Sequence, residues 1–267
     1  MAVLVLGPLL ILPDANPQVS DAFVFLALFA ALLVLVEYGA ASPGLVEFRQ
    51  APPYNRVRYA ILLAMLLLIA LSCAAPGDGA LFARVVLAVG VLLGHATDLP
   101  LSPVRLILWL LPEGTTPAQV QAVRAAAGLG YLTALVGLTV FAILLRVRRW
   151  PSPAGGFNLW VNLPTFDAGS GGDVVRRLRR DGAVNLSLGV MLPYLTPPLA
   201  VQVAGFSGVS MLQSDLMLVW VMALWAFLPT TMFLRGIALR RLAMMIAHRR
   251  RRPGEEGGVP DPAYLPA

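Results

Sequence analysis

Long apolar runs separated by short polar connections make up most of the chain. These runs approach or exceed the ~18 residues that mark a candidate transmembrane helix, and they lack the polar face of a soluble core helix. Six runs qualify as spans: residues 22–38, 57–74, 81–97, 118–145, 184–206 and 216–234. The pattern predicts an all-α fold, a polytopic transmembrane helical bundle of about six spans with one structured interfacial loop.

Two shorter apolar segments do not fit the pattern of a full span. Residues 1–12 are interrupted by Pro8 and are too few to cross a bilayer. Residues 98–113 hold an apolar piece between Pro103 and Pro112, which in helical form covers about half a bilayer. We interpret both segments as interfacial or re-entrant helices.

Composition agrees with a membrane location and suggests the domain limits. Of the 267 residues, 58% are hydrophobic and only 13% are charged, about half the roughly 25% charged share of soluble domains. Residues 1–252 are interpreted as a single transmembrane domain in which 146–183 form a cytoplasmic interfacial loop. The Pro-, Gly- and Glu-rich residues 253–267 are predicted to be a disordered tail. The apolar N-terminus lacks a basic segment, so we do not expect a cleaved signal peptide.

The basic residues, all of them Arg, provide a prediction of orientation. They concentrate in two clusters, 146–180 and 235–252, and the positive-inside rule places both clusters in the cytoplasm. We therefore expect a multi-pass protein of the bacterial inner membrane with a cytoplasmic C-terminus. Basic residues beside spans favour anionic lipid headgroups rather than nucleic acid as binding partners.

The number of spans decides how the first half of the chain is oriented. Six spans put both termini inside and place the connection 39–56 outside, on the opposite side of the membrane from 146–183. If residues 98–113 also crossed, the first half would be inverted and the Arg residues of 39–56 would lie inside. We favour six spans, because 98–113 is unusually short for a span.

The loop 146–183 carries the candidate binding surface. Its aromatic residues stand among Asn and Pro, which suits a headgroup zone or a partner surface. They are followed by a Gly-rich turn and an Arg-rich helix that Asp173 is predicted to cap. The turn lacks the Lys of a phosphate-binding P-loop, so anionic lipid headgroups or an acidic partner are favoured over a nucleotide. The candidate residues are Phe157, Trp160, Phe166, Arg176, Arg177, Arg179 and Arg180.

A second candidate is a polar site within the membrane. His95 and Asp98 are three residues apart and share a helix face, which suits proton transfer or simple closure of the helix end. Prolines in the span 184–206 are predicted to kink or break its helix, which the membrane tolerates only against protein or a wet cavity. The residues of this candidate site are Arg84, His95, Asp98, Tyr194 and Gln202.

The sequence lacks the common motifs of catalytic sites, and this absence favours a non-catalytic function. There is no G-x-S-x-G and no H-E-x-x-H motif, and Cys73 is the only cysteine. We therefore predict no metal site, no cofactor and a non-catalytic role: docking on another membrane protein complex or assisting its assembly, with homo-oligomerisation as an alternative. A small transporter or channel using the Pro-rich span is the second hypothesis, and a membrane enzyme acting on lipid is the third.

Overall fold

The computed structural model describes residues 1–12, 17–40, 44–76, 79–148, 150, 162–164, 166, 173–207 and 214–250. These residues form helices joined by short connections, and no strand occurs among them. In chain order the helices are α1 (Ala2–Ile11), α2 (Pro17–Gly39), α3 (Tyr54–Cys73), α4 (Leu81–Thr97), α5 (Pro103–Trp109), α6 (Pro117–Val147), α7 (Val174–Ser207) and α8 (Asp215–Arg250). The predicted fold class, a polytopic helical membrane bundle, is confirmed.

Among the described residues, five helices are long and apolar enough to cross a membrane. They are α2, α3, α6, α7 and α8. The predicted tail 253–267 lies outside the described residues. Helix α4 has 17 residues, at the lower limit for a span. Helices α1 and α5 have 10 and 7 residues, so each extends about 10–15 Å and cannot cross alone.

Helices α3, α6 and α8 form the centre of the bundle, and small residues allow their close approach. A side chain at Gly128 of α6 would overlap the backbone of Gly90 and Gly94 in α4. A Cβ at Gly130 would lie 2.8 Å from the Ala226 side chain of α8. Gly137 abuts Ile61 of α3 in the same way. These glycines are thus used inside the bundle, as close helix packing in membranes requires.

Helix α7 differs from its prediction in where it begins and in its continuity through the prolines. It begins at Val174 and runs as one helix through Pro193, Pro197 and Pro198 to Ser207, so the predicted capped helix and the predicted span are continuous. Of the predicted kink or break at the prolines, the break is wrong, because the helix is continuous past all three. Pro197 cannot donate to the carbonyl oxygen of Pro193, but the indole Nε1 of Trp225 donates to that oxygen over 3.1 Å.

Helix α2 lies at the periphery, and side-chain hydrogen bonds hold its C-terminal end. Arg49 Nη1 donates to the carbonyl oxygens of Glu37 and Ala40 over 2.7 and 2.6 Å, which satisfies groups that a helix end leaves unpaired. The Glu37 carboxylate accepts the Leu45 N–H over 3.1 Å. Ala27 is buried and the ring of Phe23 lies 5.8 Å from that of Trp220. Most of the remaining side chains form an exposed apolar surface, as expected of a helix solvated by lipid.

The connections α2–α3 and α6–α7 lie at the same end of the bundle. Phe48 N donates to Asn162 O over 2.7 Å, and Trp150 Nε1 donates to Ala51 O over 3.1 Å. The arrangement that placed 39–56 across the membrane from 146–183 is therefore wrong. Since α3 leaves this end and α6 returns to it, α4 and α5 together must start and finish at the far end. Hydropathy predicted that α4 is a separate span, but α4 and α5 together begin and end on the same side of the bundle.

Candidate functional site

The two connections lock together into one structure, which we call the loop junction. It comprises residues 47–53 of the α2–α3 connection with Trp150, Asn162, Leu163 and Phe166 of the α6–α7 connection. Asn162 joins the two segments twice, because its backbone carbonyl accepts the Phe48 N–H and its side-chain oxygen accepts the Gln50 N–H over 3.1 Å. Two backbone groups that a loop would otherwise expose to water are thereby paired.

An aromatic cluster fills the interior of the loop junction. The ring of Phe48 lies 4.4 Å from that of Tyr54 and 5.6 Å from that of Trp150, measured between ring centroids. Tyr54 in turn contacts Phe141 of α6 edge-on at 5.9 Å. Phe48 has a φ of 53°, a left-handed conformation that few residues other than glycine adopt. Its buried ring and its hydrogen bond to Asn162 hold the backbone there.

An ion pair anchors the loop junction to α8. Arg235 Nε and Nη2 donate to the two carboxylate oxygens of Glu47, each over 2.7 Å. This two-pronged geometry is the strongest form of an Arg–carboxylate contact. Asn55 Nδ2 also donates to the Glu47 carbonyl oxygen over 2.8 Å. A residue of the α2–α3 connection is thereby fixed to a helix 188 positions later.

Two further Arg residues bind the α6–α7 connection to neighbouring helices. Arg241 Nε donates to the Trp150 carbonyl oxygen over 3.2 Å. The Arg177 guanidinium stands over the ring of Phe166 at 4.8 Å, a cation–π arrangement. The predicted cap of this helix is confirmed, since Asp173 Oδ1 accepts the Val175 N–H over 3.2 Å.

The structure divides the predicted binding residues into two groups. Phe166 is only 8% exposed and, with Arg177, belongs to the interior contacts of the loop junction. The side chains of Arg176, Arg179 and Arg180 are exposed at the surface. The remaining two predicted residues, Phe157 and Trp160, lie outside the described residues.

The five residues of the predicted intramembrane site do not form one cluster. Asp98 pairs with Arg105 and with Arg124, whose Nη2 lies 3.2 Å from its carboxylate. Burial opposes ionisation of Asp98, but the hydrogen bonds and charges of the two Arg residues prevail and lower the pKa of its carboxyl group. The side chains of the other four are exposed: Arg84, His95, Tyr194 and Gln202.

A cavity of about 180 Å³ lies between α6, α7 and α8. Pro193 of the proline-containing span lines it, together with Tyr131, Trp225 and Thr230, whereas Pro197 does not. The rest of its wall is apolar. Exposed Tyr194 and Gln202 are not among the lining residues, so the predicted polar groups and this cavity are separate features.

Sequence reasoning overlooked the residues that build the loop junction: Glu47, Phe48, Trp150, Asn162 and Arg235. For Glu47, Phe48 and Asn162 the sequence signal was the unusual polar and aromatic content of residues 47–56 and 155–166. Trp150 and Arg235 lie in the loop 146–183 and the basic cluster 235–252, which gave no sign of their contacts. In the part of the chain that the structure describes, no three His, Cys, Asp or Glu residues are placed to hold a metal ion. Comparison with protein-family models, curated proteins and solved structures gives no match.

Proposed function

We propose that this membrane protein docks on another membrane protein complex through the basic surface beside the loop junction, and that its role is non-catalytic. The observation that carries the proposal is the double pairing of Asn162 with the α2–α3 connection. It joins the described residues of the two connections into one platform. Binding to a surface that is already ordered loses less conformational entropy than binding to mobile loops.

The charges beside the platform indicate the chemistry of the partner. Arg176, Arg179 and Arg180 are exposed on the first turns of α7, while Arg177 is occupied by Phe166. Exposed Arg side chains bind carboxylates with two parallel hydrogen bonds. The favoured partner is therefore an acidic surface on a membrane protein.

The same charges support a cytoplasmic location of the loop junction. The Arg residues of the α2–α3 connection, of the α6 C-terminus and of the second half of α8 all gather at this end. The positive-inside rule then places this end, and the C-terminus, in the cytoplasm of a bacterial inner membrane. Five crossings put α1 on the opposite side.

Cysteine labelling tests this orientation. Single-cysteine proteins carrying Gln50→Cys, Arg179→Cys or Glu113→Cys, each with Cys73→Ala, are treated in intact cells with a maleimide that does not cross the inner membrane. We expect labelling of Glu113→Cys alone, because the other two positions share the cytoplasmic end. Opposite results for Gln50→Cys and Arg179→Cys would contradict the placement of both connections on one side.

Site-specific photocross-linking tests docking itself. A photoreactive amino acid at Arg179 is expected to give a discrete cross-link to an integral membrane protein, and one at Glu113 to give none. The cross-link from position 179 should disappear in the double variant Arg176→Gln/Arg180→Gln. The control, Arg146→Gln/Arg148→Gln, removes equal charge from exposed positions at the same end and should retain it. Equal loss in both variants, or cross-links to lipid alone, would rule out specific docking on a protein.

A further inference from the structure

The cavity between α6, α7 and α8 has the position of a site that opens to lipid. Its lining residues, Gly130–Leu138 on α6 and Trp225–Phe233 on α8, occupy the central turns of two spanning helices. One lining residue, Leu135, is 67% exposed, so the cavity reaches the outer surface of α6. The neighbouring Val136 and Val140 are also exposed, and in a bilayer such a surface faces acyl chains.

The walls offer little to a polar ligand. Among the described residues, no charged side chain lines the cavity. Thr230 Oγ1 donates to the Ala226 carbonyl oxygen over 2.7 Å, and Trp225 Nε1 donates to that of Pro193 over 3.1 Å. The donors of both side chains are thus used by backbone groups within the protein. Apart from the hydroxyl group of Tyr131, the described walls offer no free donor, so an ion or a hydrated solute entering this space would lose most of its hydrogen bonds.

The size of the cavity points to a small apolar group. An apolar cavity of about 150 Å³ stays dry and accepts benzene, whereas drug-sized ligands need about 300 Å³ or more. A volume of about 180 Å³ therefore accommodates a segment of a hydrocarbon chain. Tyr131 and Trp225, which meet edge-on at 5.7 Å, provide flat apolar walls for such a segment.

We propose that this cavity binds one acyl chain of a membrane phospholipid, which enters beside Leu135 and lies against Trp225 and Pro193. The chain fills a space that the three helices leave between them. Its occupancy does not depend on docking at the loop junction, because the lining residues belong to the middle of the spans.

A phospholipid with a diazirine midway along one acyl chain provides the probe. The full-length protein is reconstituted in vesicles of phosphatidylethanolamine and phosphatidylglycerol that contain increasing amounts of this lipid, and cross-linked peptides are identified. We expect labelling of Tyr131, Trp225 or Phe233 to saturate, whereas labelling of the lipid-exposed residues Leu28 and Leu32 of α2 rises in proportion to the probe. Proportional labelling of both sets would overturn the proposal.

A matched pair of variants identifies the cavity as the site. Ala134→Phe places a ring in the cavity, and Ala142→Phe adds the same ring two turns later at an exposed position of α6. The saturable labelling should be lost in Ala134→Phe and retained in Ala142→Phe. Retention in both would overturn the proposal. If Ala134→Phe does not fold, the saturation curve of the unaltered protein decides alone.

Discussion

The two ends of the bundle both contain Arg–carboxylate pairs, but they use them differently. At the loop junction, Arg235 donates two hydrogen bonds to Glu47, which lies 188 positions earlier in the sequence. At the far end, Asp98 is bound by Arg105, seven positions away, and by Arg124 in the third turn of α6, 26 positions away. The first pair joins distant parts of the fold, and the second closes the turns between α4 and α6.

This difference predicts where the fold is sensitive to substitution. Contacts between distant segments hold an arrangement that local helix propensity does not favour by itself. When one partner is removed, the other is left buried without a hydrogen bond, which lowers the free energy of unfolding. Local contacts close turns that the helix caps already favour, such as the capping box of Thr116 and Gln119 at the start of α6. The loop junction should therefore be the more vulnerable end.

The largest effect is expected from Glu47→Gln. Arg235 would remain mostly covered without its counter-charge, and the loss of one partner of a buried pair costs about 3–5 kcal/mol. Because the Arg235 side chain is 28% exposed, we expect a decrease of about 2–3 kcal/mol in the free energy of unfolding. Denaturation by SDS in mixed micelles, followed by circular dichroism, measures it.

An exposed ion pair is the control for this substitution. Arg180 and Asp181 lie 3.4 Å apart with side-chain exposures of 74% and 33%, and exposed pairs contribute about 0–1 kcal/mol. Arg180→Gln should therefore leave the unfolding midpoint nearly unchanged. Equal decreases in the free energy of unfolding in the two variants would show that the Glu47–Arg235 pair stabilises the fold no more than an exposed ion pair does.

The next effect tests a long-range contact inside the membrane. Trp225→Phe keeps an aromatic ring but removes the donor to the Pro193 carbonyl oxygen, and an acceptor left without a partner costs about 1–3 kcal/mol. Trp220→Phe is the matched control, because the buried Nε1 of Trp220 has no hydrogen-bond partner among the described residues. We expect Trp225→Phe to lower the unfolding free energy by at least about 1 kcal/mol more than Trp220→Phe. The reverse order would mean that the indole donor does not stabilise α7.

A smaller loss is expected from Asn162→Ala. The backbone carbonyl of residue 162 still accepts from Phe48, but the Gln50 N–H loses its side-chain acceptor. The expected decrease is about 1 kcal/mol. Hydrogen exchange should show it locally, as faster exchange of the Gln50 amide with no change in α4. Unchanged exchange at Gln50 would contradict the hydrogen bond between its amide and the Asn162 side chain.

The fold class was predictable because bilayer thickness restricts helix length. Hydropathy located the five helices of the described residues that are long enough to cross, and the cap at Asp173 followed from residue type. The path between them was less predictable. Whether a helix of 17 residues such as α4 adds a crossing depends on contacts with α6, where Gly90 and Gly94 meet Gly128, and not on its hydropathy.

The loop junction could not be predicted for a similar reason. Glu47 and Arg235 each look like ordinary charges near a span boundary, and only the fold brings them together. Phe166 and Arg177 were selected as exposed binding residues, yet they contact each other within the structure. Residue type indicated an aromatic and basic surface, but tertiary packing decided which of its members remain exposed.

The smallest effect is expected at the far end, from Asp98→Asn. The Asp98 side chain is only 12% exposed, but Arg105 is 35% exposed and Arg124 is 21% exposed and makes a single contact of 3.2 Å. These contacts are weaker than the two-pronged Glu47–Arg235 pair and should contribute about 0.5–1 kcal/mol. The two Arg residues lower the pKa of Asp98. Its contribution is therefore present above the unfolded pKa of about 3.9 and is lost as the pH falls through the lower folded value. The unfolding free energies of the two proteins should differ at neutral pH and converge below about pH 3. A loss at neutral pH as large as that of Glu47→Gln would remove the distinction between the two ends, since a local pair would then stabilise the fold as much as a long-range one.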